Sequence, residues 1–228
     1  MGFLLDSLRD SLALIATGDP AFTHAVWMSL YVSFWSIIFA SLIGIPAGLA
    51  VGLSEFPLKR SVITALNSLM AVPTVLIGLL VYGFISRQGP AGGLGLLFTP
   101  SAIIAGDAFL AAPIVANLAL SSVRGAHAAI LPTAKTLGAD RFQSLFMLMS
   151  EIRFGMMAAV IAGFGRVVSE VGVAMMLGGN ILGYTRTMTT AIALETSKGE
   201  FALGIALGIV LMGVALAVNV IFQFLQKR

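Results

Sequence analysis

Long apolar stretches almost free of charge constrain this chain more than any other feature of its sequence. Each is close to the roughly 20 residues that a helix needs to cross the hydrocarbon core of a bilayer. Because lipid offers the backbone no hydrogen-bond partners, such stretches must be helices, and a β-barrel would need short alternating segments instead. The sequence therefore predicts an all-α, polytopic membrane bundle with five core helices. They run from about Val26 to Leu53, Val62 to Ile85, Ser101 to Val123, Phe154 to Leu177 and Phe201 to Phe224.

Composition excludes most other classes of protein. Of the 228 residues, 58% are hydrophobic and 10% are charged, whereas a soluble domain carries about a quarter charged residues. The chain has no cysteine, and His24 and His127 are too far apart in sequence to suggest a metal site. The scattered basic residues argue against nucleic-acid binding. The sequence has no phosphate-binding GxxxxGK[ST] loop, so we expect no cofactor in this chain.

Residues 1–20 are predicted to form an amphipathic interfacial segment, ahead of a single membrane domain over residues 21–228. No basic segment precedes an uninterrupted apolar core, so the segment is not a cleavable signal peptide. Such a helix lies on the membrane surface or packs against its own protein, and the sequence does not choose. Apolar residues recur at helical spacing opposite charged ones: Leu4, Leu5, Leu8, Leu12 and Ile15 against Asp6, Arg9 and Asp10.

The basic residues predict the orientation, because Lys and Arg concentrate in cytoplasmic connections. With the N-terminus outside and the C-terminus in the cytoplasm, eight basic residues fall inside and four outside. The inner set is Lys59, Arg60, Arg124, Lys135, Arg141, Arg153, Lys227 and Arg228, and the outer set is Arg9, Arg87, Arg186 and Lys198.

Small residues and prolines mark special points of the spans. Gly44, Gly48 and Gly52 form a GxxxGxxxG face that permits close helix approach, and Gly204 and Gly208 repeat the spacing. These faces pack within the subunit or across a dimer. Three prolines are each predicted to interrupt a span, as a hinge or as a fixed bend: Pro46, Pro73 and Pro113.

The connection over residues 124–153 carries the functional signal, because it is too long for a simple link. Pro132 is suited to open a short helix and Gly138 to end it. Asp140 then caps a second helix, with Gln143 in the capping-box position. The segment is predicted to be a helix, a glycine break and a helix, a rigid protrusion suited to another protein's groove.

This segment resembles the cytoplasmic signature of ABC importer permeases, in which Glu-Ala-Ala, three residues and Gly are often followed by Ala. Here Pro132 and Thr133 replace the first two residues, and Ser150-Glu151 replaces a later Leu-Pro. The resemblance implies a type I importer permease fold and a coupling helix that docks on an ATPase subunit. The implied coupling residues are Pro132, Thr133, Ala134, Lys135, Leu137, Gly138, Ala139 and Asp140.

A closer resemblance covers nearly the whole chain. It rests on Gly44-Ile45-Pro46, Ser169-Glu170-Val171-Gly172, Gly178-Gly179-Asn180, Gly183-Tyr184-Thr185-Arg186 and the run from Thr189 to Thr196. These motifs are similar to the tungstate branch of the molybdate/tungstate permeases. The resemblance implies inward transport of tungstate or molybdate across the inner (plasma) membrane. It also implies a homodimer, two ATP-binding subunits that hold ATP and Mg, and an extracytoplasmic tungstate-binding protein.

Other functions stay open at this stage. The chain is alternatively an ABC permease for another oxyanion such as sulfate, or a secondary transporter that works alone on an ion gradient. Five spans show no internal repeat, which disfavours the secondary transporter. An intramembrane enzyme is disfavoured because no catalytic set of residues is visible in the spans.

Polar residues in and beside the spans are candidates for the translocation pathway. Arg166 and Glu170 lie four residues apart on one helix face. Either they line the pathway, where Arg166 attracts a dianion, or they neutralise each other and tie helices together. Asp107 is expected to form a helix-packing hydrogen bond, since an acid repels an anion. The remaining pathway candidates are Met175 and Met176 as an apolar gate or packing, and Asn180 and Arg186 in a glycine-rich loop.

Overall fold

The computed structural model describes residues 2–226, without the side chains of residues 2–6, 127–131, 135, 141 and 226. Within that part of the chain there are nine α-helices, one short 3₁₀ turn at Gly92–Leu94 and no strand. The helices are α1 Gly2–Thr17, α2 Pro20–Leu53, α3 Lys59–Met70, α4 Thr74–Ile85, α5 Pro100–Thr136, α6 Arg141–Val168, α7 Gly172–Gly178, α8 Met188–Lys198 and α9 Phe201–Gln226.

Four of these helices, α2, α5, α6 and α9, are long and apolar enough to cross a membrane, and α3 with α4 pass the same test as a bent pair, which is either one broken span or a re-entrant loop. The predicted all-α membrane bundle is therefore confirmed, but the second span is not one helix. The two halves meet at an angle of 99°. Proline has no amide donor and disfavours helical backbone in the residue before it, so α3 ends before Pro73 and α4 begins after it.

Three further boundaries differ from the sequence prediction. The fourth stretch is two helices, because α6 ends at Val168 and α7 begins at Gly172. Helix α5 continues well beyond Val123 to Thr136, so Pro132 lies inside its last turns and does not open a separate helix. Pro46 and Pro113 also lie inside continuous helices, α2 and α5. The packing of α2 and α5 against each other outweighs the single amide that each proline removes.

The glycine face of α2 packs against α5 within the subunit. A Cβ built on Gly44 would lie 2.7 Å from the carbonyl oxygen of Ala112, and one on Gly52 would lie 2.9 Å from Cγ1 of Val123. A Cβ on Gly48 would overlap the carbonyl oxygen of Ala116. The absence of side chains therefore lets the two backbones meet over about two turns.

Helix α1 packs against its own protein while keeping leucines outward. Leu14 and Ile15 contact a buried cluster that includes Phe22 and Leu207. Leu8 and Leu12 are 43% and 56% exposed on the other side. Its contact with the bilayer surface stays a prediction that these two leucines favour.

The bundle has two distinct ends. Lys59, Arg60 and Arg124 line one pocket of about 520 Å³ at what we call the basic end. At the opposite end, which we call the turn end, the backbone N–H of Phe98 donates to the carbonyl of Leu177 at 2.8 Å. The segments over residues 86–99 and 178–187 therefore lie together beside the start of α5.

Candidate coupling and translocation sites

The segment that leaves α5 at the basic end is a rigid turn. Gly138 has a φ of +83°, which an L side chain rarely adopts. The N–H of Ala139 donates to the carbonyl of Ala134 at 3.0 Å, and the N–H of Leu137 donates to that of Thr133 at 3.2 Å. The 6→1 bond and the left-handed glycine define a Schellman end. The predicted glycine break is confirmed in the backbone.

Helix α6 begins directly after this turn with the predicted capping box. The N–H of Gln143 donates to Oδ1 of Asp140 at 2.8 Å, and the N–H of Asp140 donates to Oε1 of Gln143 at 2.9 Å. Two amides at the helix start are thereby satisfied. The direction in which α6 leaves the turn is fixed by these bonds.

Large apolar side chains project from this protrusion. Leu137 is 77% exposed, Phe142 85% and Phe146 76%. We call these three residues the apolar tip. Phe142 and Phe146 were missed by the sequence analysis, although apolar residues four apart right after a helix cap are the signal that could have found them. An exposed aromatic pair beside a leucine is typical of a surface that contacts another protein or a membrane.

The other predicted coupling residues are either buried against the bundle or exposed on the protrusion. Ala134 is fully buried, together with Leu148 and Ser144 of α6, so it anchors the protrusion to the bundle. Pro132, Thr133, Gly138 and Asp140 are exposed and Ala139 is half-buried. The side chain of Lys135 lies outside the described residues.

Arg166 and Glu170 form an ion pair at the break between α6 and α7. Nη1 of Arg166 donates to Oε2 of Glu170 at 2.7 Å. Oε1 of Glu170 also accepts from the N–H groups of Gly172 at 2.8 Å and Val173 at 3.2 Å. The carboxylate is 3% exposed and the guanidinium 36%. Glu170 therefore fixes the start of α7, and whether the pair also contacts the transported ion stays a prediction.

Asp107 does not form the expected hydrogen bond through Oδ1. The residue is 2% exposed, and Oδ1 has no hydrogen-bond partner among the described residues. It lines a small space in the core together with Ser29, Ser33 and Glu170. Nearby, the N–H of Met188 donates to Oγ of Ser29 at 2.7 Å.

The glycine-rich segment after α7 is an ordered turn tied down by one threonine. Oγ1 of Thr185, which is fully buried, donates to the carbonyl of Gly178 at 2.6 Å and accepts from the N–H of Ile181 at 3.0 Å. Gly179 and Gly183 have φ values of +70° and +71°, and Asn180 has +50°. Left-handed backbone at three positions explains why glycine and asparagine occur there.

The two pathway candidates in this turn are joined to α8. Arg186 pairs with Glu195 at 3.6 Å, and Lys198 pairs with the same carboxylate at 3.1 Å. Nη2 of Arg186 also donates to the carbonyl of Asn180 at 3.4 Å. Both cations share one acid, so the cluster carries a net positive charge at the turn end. The side-chain Oδ1 of Asn180 and Nε of Arg186 are buried without partners in the described residues.

The two methionines have different surroundings. Met176 packs on α4, because a Cβ on Gly78 would lie 3.0 Å from its sulfur. Met175 is 37% exposed. Their role as an apolar gate stays a prediction, and Met175 is the one whose side chain reaches the surface.

A polar pair and a large groove were missed by the sequence analysis. Nδ2 of Asn117 on α5 donates to Oδ1 of Asn67 on α3, and amides inside apolar segments were the available signal. An apolar groove of about 910 Å³ lies between α2, α3 and α5. Its aromatic wall is made by Tyr31, Trp35, Phe39 and Phe109.

Solved structures with this architecture are ABC importer permeases. The chain superposes on the inward-facing methionine ABC transporter MetNI with a TM-score of 0.74 at 17% identity, covering 90% of this chain and 94% of the other. A bacterial ABC transporter that imports the polysaccharide alginate gives a TM-score of 0.74 at 18% identity, with 96% and 83% covered. The fold is therefore that of an ABC transporter permease subunit, a multi-pass membrane protein.

Sequence relatives narrow the class. The tungstate uptake system permease protein TupB of Peptoclostridium acidaminophilum is 37% identical over 228 residues, with both chains fully covered. TupB of Campylobacter jejuni is 39% identical over 227 residues, with 100% of this chain and 95% of the relative covered. The chain belongs to the TupB family of ABC transporter permeases. No protein-family model matches the sequence.

Proposed function

We propose that this chain is the membrane-spanning permease of an ABC importer that moves tungstate inward, driven by ATP hydrolysis on a separate partner subunit. The full-length similarity to two tungstate uptake permeases supports the ion. The observation that carries the mechanism is the apolar tip, held on a Schellman turn and a capping box and left exposed by the rest of the chain. ATP and Mg are bound by the partner and not by this chain.

The apolar tip is the proposed contact with the ATPase. Leu137, Phe142 and Phe146 project from a turn whose backbone is fixed on both sides, so they are preorganised for a groove. When two ATPase subunits close on ATP, the tip moves with them. The α5 and α6 helices that continue from the tip then carry this movement into the bundle.

The orientation follows from the two ends. The basic end carries Lys59, Arg60 and Arg124 and the coupling protrusion, and we assign it to the cytoplasm of the inner (plasma) membrane. The turn end then faces outward, where an extracytoplasmic tungstate-binding protein delivers the ion. The N-terminus lies outside and the C-terminus in the cytoplasm.

The pathway residues argue for weak binding of the ion within this chain. Arg166 is paired with Glu170, and Arg186 shares Glu195 with Lys198. The paired Arg166 keeps little charge for a dianion, and the single net positive charge of the cluster of Arg186, Lys198 and Glu195 is half of what a dianion needs. High affinity is therefore assigned to the binding protein, and Arg186, Asn180 and Met175 are the side chains nearest the outer entrance.

We further propose that two copies of the chain form the transporter, meeting at the apolar groove between α2, α3 and α5. Its aromatic side chains are partly exposed in one subunit, Phe109 by 54% and Phe39 by 45%, and a second copy would cover them. The chain has no cysteine, so a single cysteine at Phe109 reports this contact without background. A disulfide-linked dimer in membranes supports the proposal. Efficient crosslinking only from Met212→Cys, an exposed position on α9 outside the groove, contradicts it.

The coupling assignment is tested by co-purification of the ATPase with the tagged permease. Leu137→Ser should lower ATPase binding and tungstate-dependent ATP hydrolysis by about tenfold, the effect of losing about 1.4 kcal/mol of contact energy. Leu94→Ser is the matched control for ATPase co-purification, because Leu94 is 69% exposed at the turn end, away from the proposed contact. Full binding and coupled hydrolysis in Leu137→Ser would show that the tip is not the contact.

The ion and the orientation need their own experiments. Uptake of labelled tungstate by the complete system should be competed by molybdate less than by tungstate, and sulfate should compete least. Stronger competition by sulfate would assign a different oxyanion.

The orientation is tested with Lys135→Cys. This cysteine should be protected from an impermeant reagent in intact cells, whereas labelling from outside would reverse the orientation.

A further inference from the structure

A small polar space lies in the core where α2, α5, α8 and the α6–α7 break meet. Its volume is about 10 Å³, close to what a single water-sized sphere sweeps out. We call it the polar chamber. Oxygen-bearing side chains from all four places line it: Ser29, Ser33, Asp107, Glu170, Thr187 and Thr189.

One acid of the chamber, Asp107, has no ion-pair partner among the described residues. Asp107 is 2% exposed and its Oδ1 has no hydrogen-bond partner in the described residues. Arg166 is the nearby cation, but its Nη1 is bound to Glu170, which also accepts two backbone amides. The residues that α2 and α8 contribute to the chamber are hydroxyls and apolar groups. A buried carboxylate without a counter-charge is costly, most of all in a membrane.

Two hydroxyls of the chamber keep an acceptor site. Oγ1 of Thr189 donates its proton to the carbonyl of Glu170 at 2.6 Å, accepts from Oγ1 of Thr187 at 3.1 Å and keeps one further acceptor site. Oγ of Ser29 accepts one bond, from the N–H of Met188, and keeps a second acceptor site. These acceptor sites therefore favour a cation, which is coordinated by several oxygens, over a ligand that must accept hydrogen bonds from the chamber.

We propose that the polar chamber binds one dehydrated monovalent cation, with Na⁺ as the ion of matching size, through Asp107, Ser29, Ser33 and Thr189. A proton on Asp107 removes the charge but leaves the space and the lone pairs unfilled. A water molecule fills the space but leaves the charge. Na⁺ fills the space and balances the charge with a single ligand, whereas a proton and a water are both needed for the same result, and hard cations take oxygen ligands of these types. The ion would hold α2, α5 and α8 together beside the α6–α7 break.

The test is thermal unfolding of the full-length chain in lipid nanodiscs at constant ionic strength, with Na⁺ replaced by K⁺ or N-methylglucamine. Na⁺ at ten times its Kd should raise Tm by about 3–6 °C. Asp107→Asn should abolish the rise, and Asp10→Asn is the matched control because Asp10 is exposed and lies on α1, which contributes no residue to the chamber.

A second variant keeps the test informative if Asp107→Asn does not fold. Ser33→Ala removes one ligand and should raise the Na⁺ concentration at half-effect several-fold. Equal Tm values in Na⁺ and N-methylglucamine would overturn the proposal. A Tm that depends on pH but not on Na⁺ would also overturn it, because the chamber would then hold a proton and a water. Both readouts are independent of tungstate transport, so they stand apart from the proposed function.

Discussion

Replacing Gly48 by alanine should force α2 and α5 apart. The new Cβ would overlap the carbonyl oxygen of Ala116 and would lie 2.9 Å from Cβ of Ala119. Carbon atoms pack best at about 3.5–4.0 Å, so the helices must separate locally by about 1 Å. The closest atom belongs to the backbone, and no side-chain rotation relieves the overlap. Overpacking of this kind costs about 1–3 kcal/mol.

The assay is thermal unfolding in nanodiscs, followed by tryptophan fluorescence. Both tryptophans, Trp27 and Trp35, lie on α2, the helix that must move. A loss of about 1–3 kcal/mol corresponds to a fall in Tm of about 2–12 °C for a domain of this size.

Gly213→Ala is the matched control, because Gly213 lies inside α9 and a Cβ there meets nothing within 4 Å. It should leave the stability unchanged or raise it by up to about 1 kcal/mol, since alanine favours a helix over glycine. If Gly48→Ala has the same Tm as the wild type, or if the Tm values of both variants fall by the same amount, the close contact between α2 and α5 does not stabilise the fold as argued.

Three further substitutions test single contacts, each by unfolding of the variant against wild type. Thr185→Val should cost about 1–3 kcal/mol, because it leaves the carbonyl of Gly178 and the N–H of Ile181 without their shared partner; Thr185→Ser should restore most of this, and a stable valine variant would contradict it. Glu170→Gln should lower the free energy of unfolding by about 2–4 kcal/mol, because Arg166 loses its buried acceptor. The loss stays within this range because the guanidinium is one-third exposed to solvent. An unchanged Tm would show that the ion pair does not stabilise the fold. Asn117→Leu should cost about 0.6–1.7 kcal/mol through the lost bond to Asn67, and a gain in stability would refute that role.

Sequence patterns predicted the features that depend on local chemistry. The bundle of apolar helices, the left-handed Gly138 and the capping box of Asp140 all follow from residue types within a few positions. The α2–α5 glycine contact could be predicted as a face but not assigned to a partner helix. The spacing of residues in the sequence shows which of them share one face of a helix, but it does not show which other helix packs against that face.

The errors concern packing between distant segments. The 99° bend at Pro73 and the break after Val168 depend on how the halves fit their neighbours, and Glu170 reaches across the second break to hold α7. The polar chamber joins residues from Ser29 to Thr189, which no local pattern connects. The apolar tip was located but its two phenylalanines were missed, because exposed aromatics in an apolar chain look like ordinary span residues.

Helix α5 is 37 residues long and unbroken, so it measures about 55 Å at 1.5 Å per residue. One end of this rod leads into the segment that projects Leu137, and Asp107 lies near the other. Its helical hydrogen bonding is continuous although Pro113 and Pro132 each remove one amide donor. We therefore expect a partner that displaces Leu137 along the axis of α5 to displace Asp107 as well, at the opposite end of the bundle.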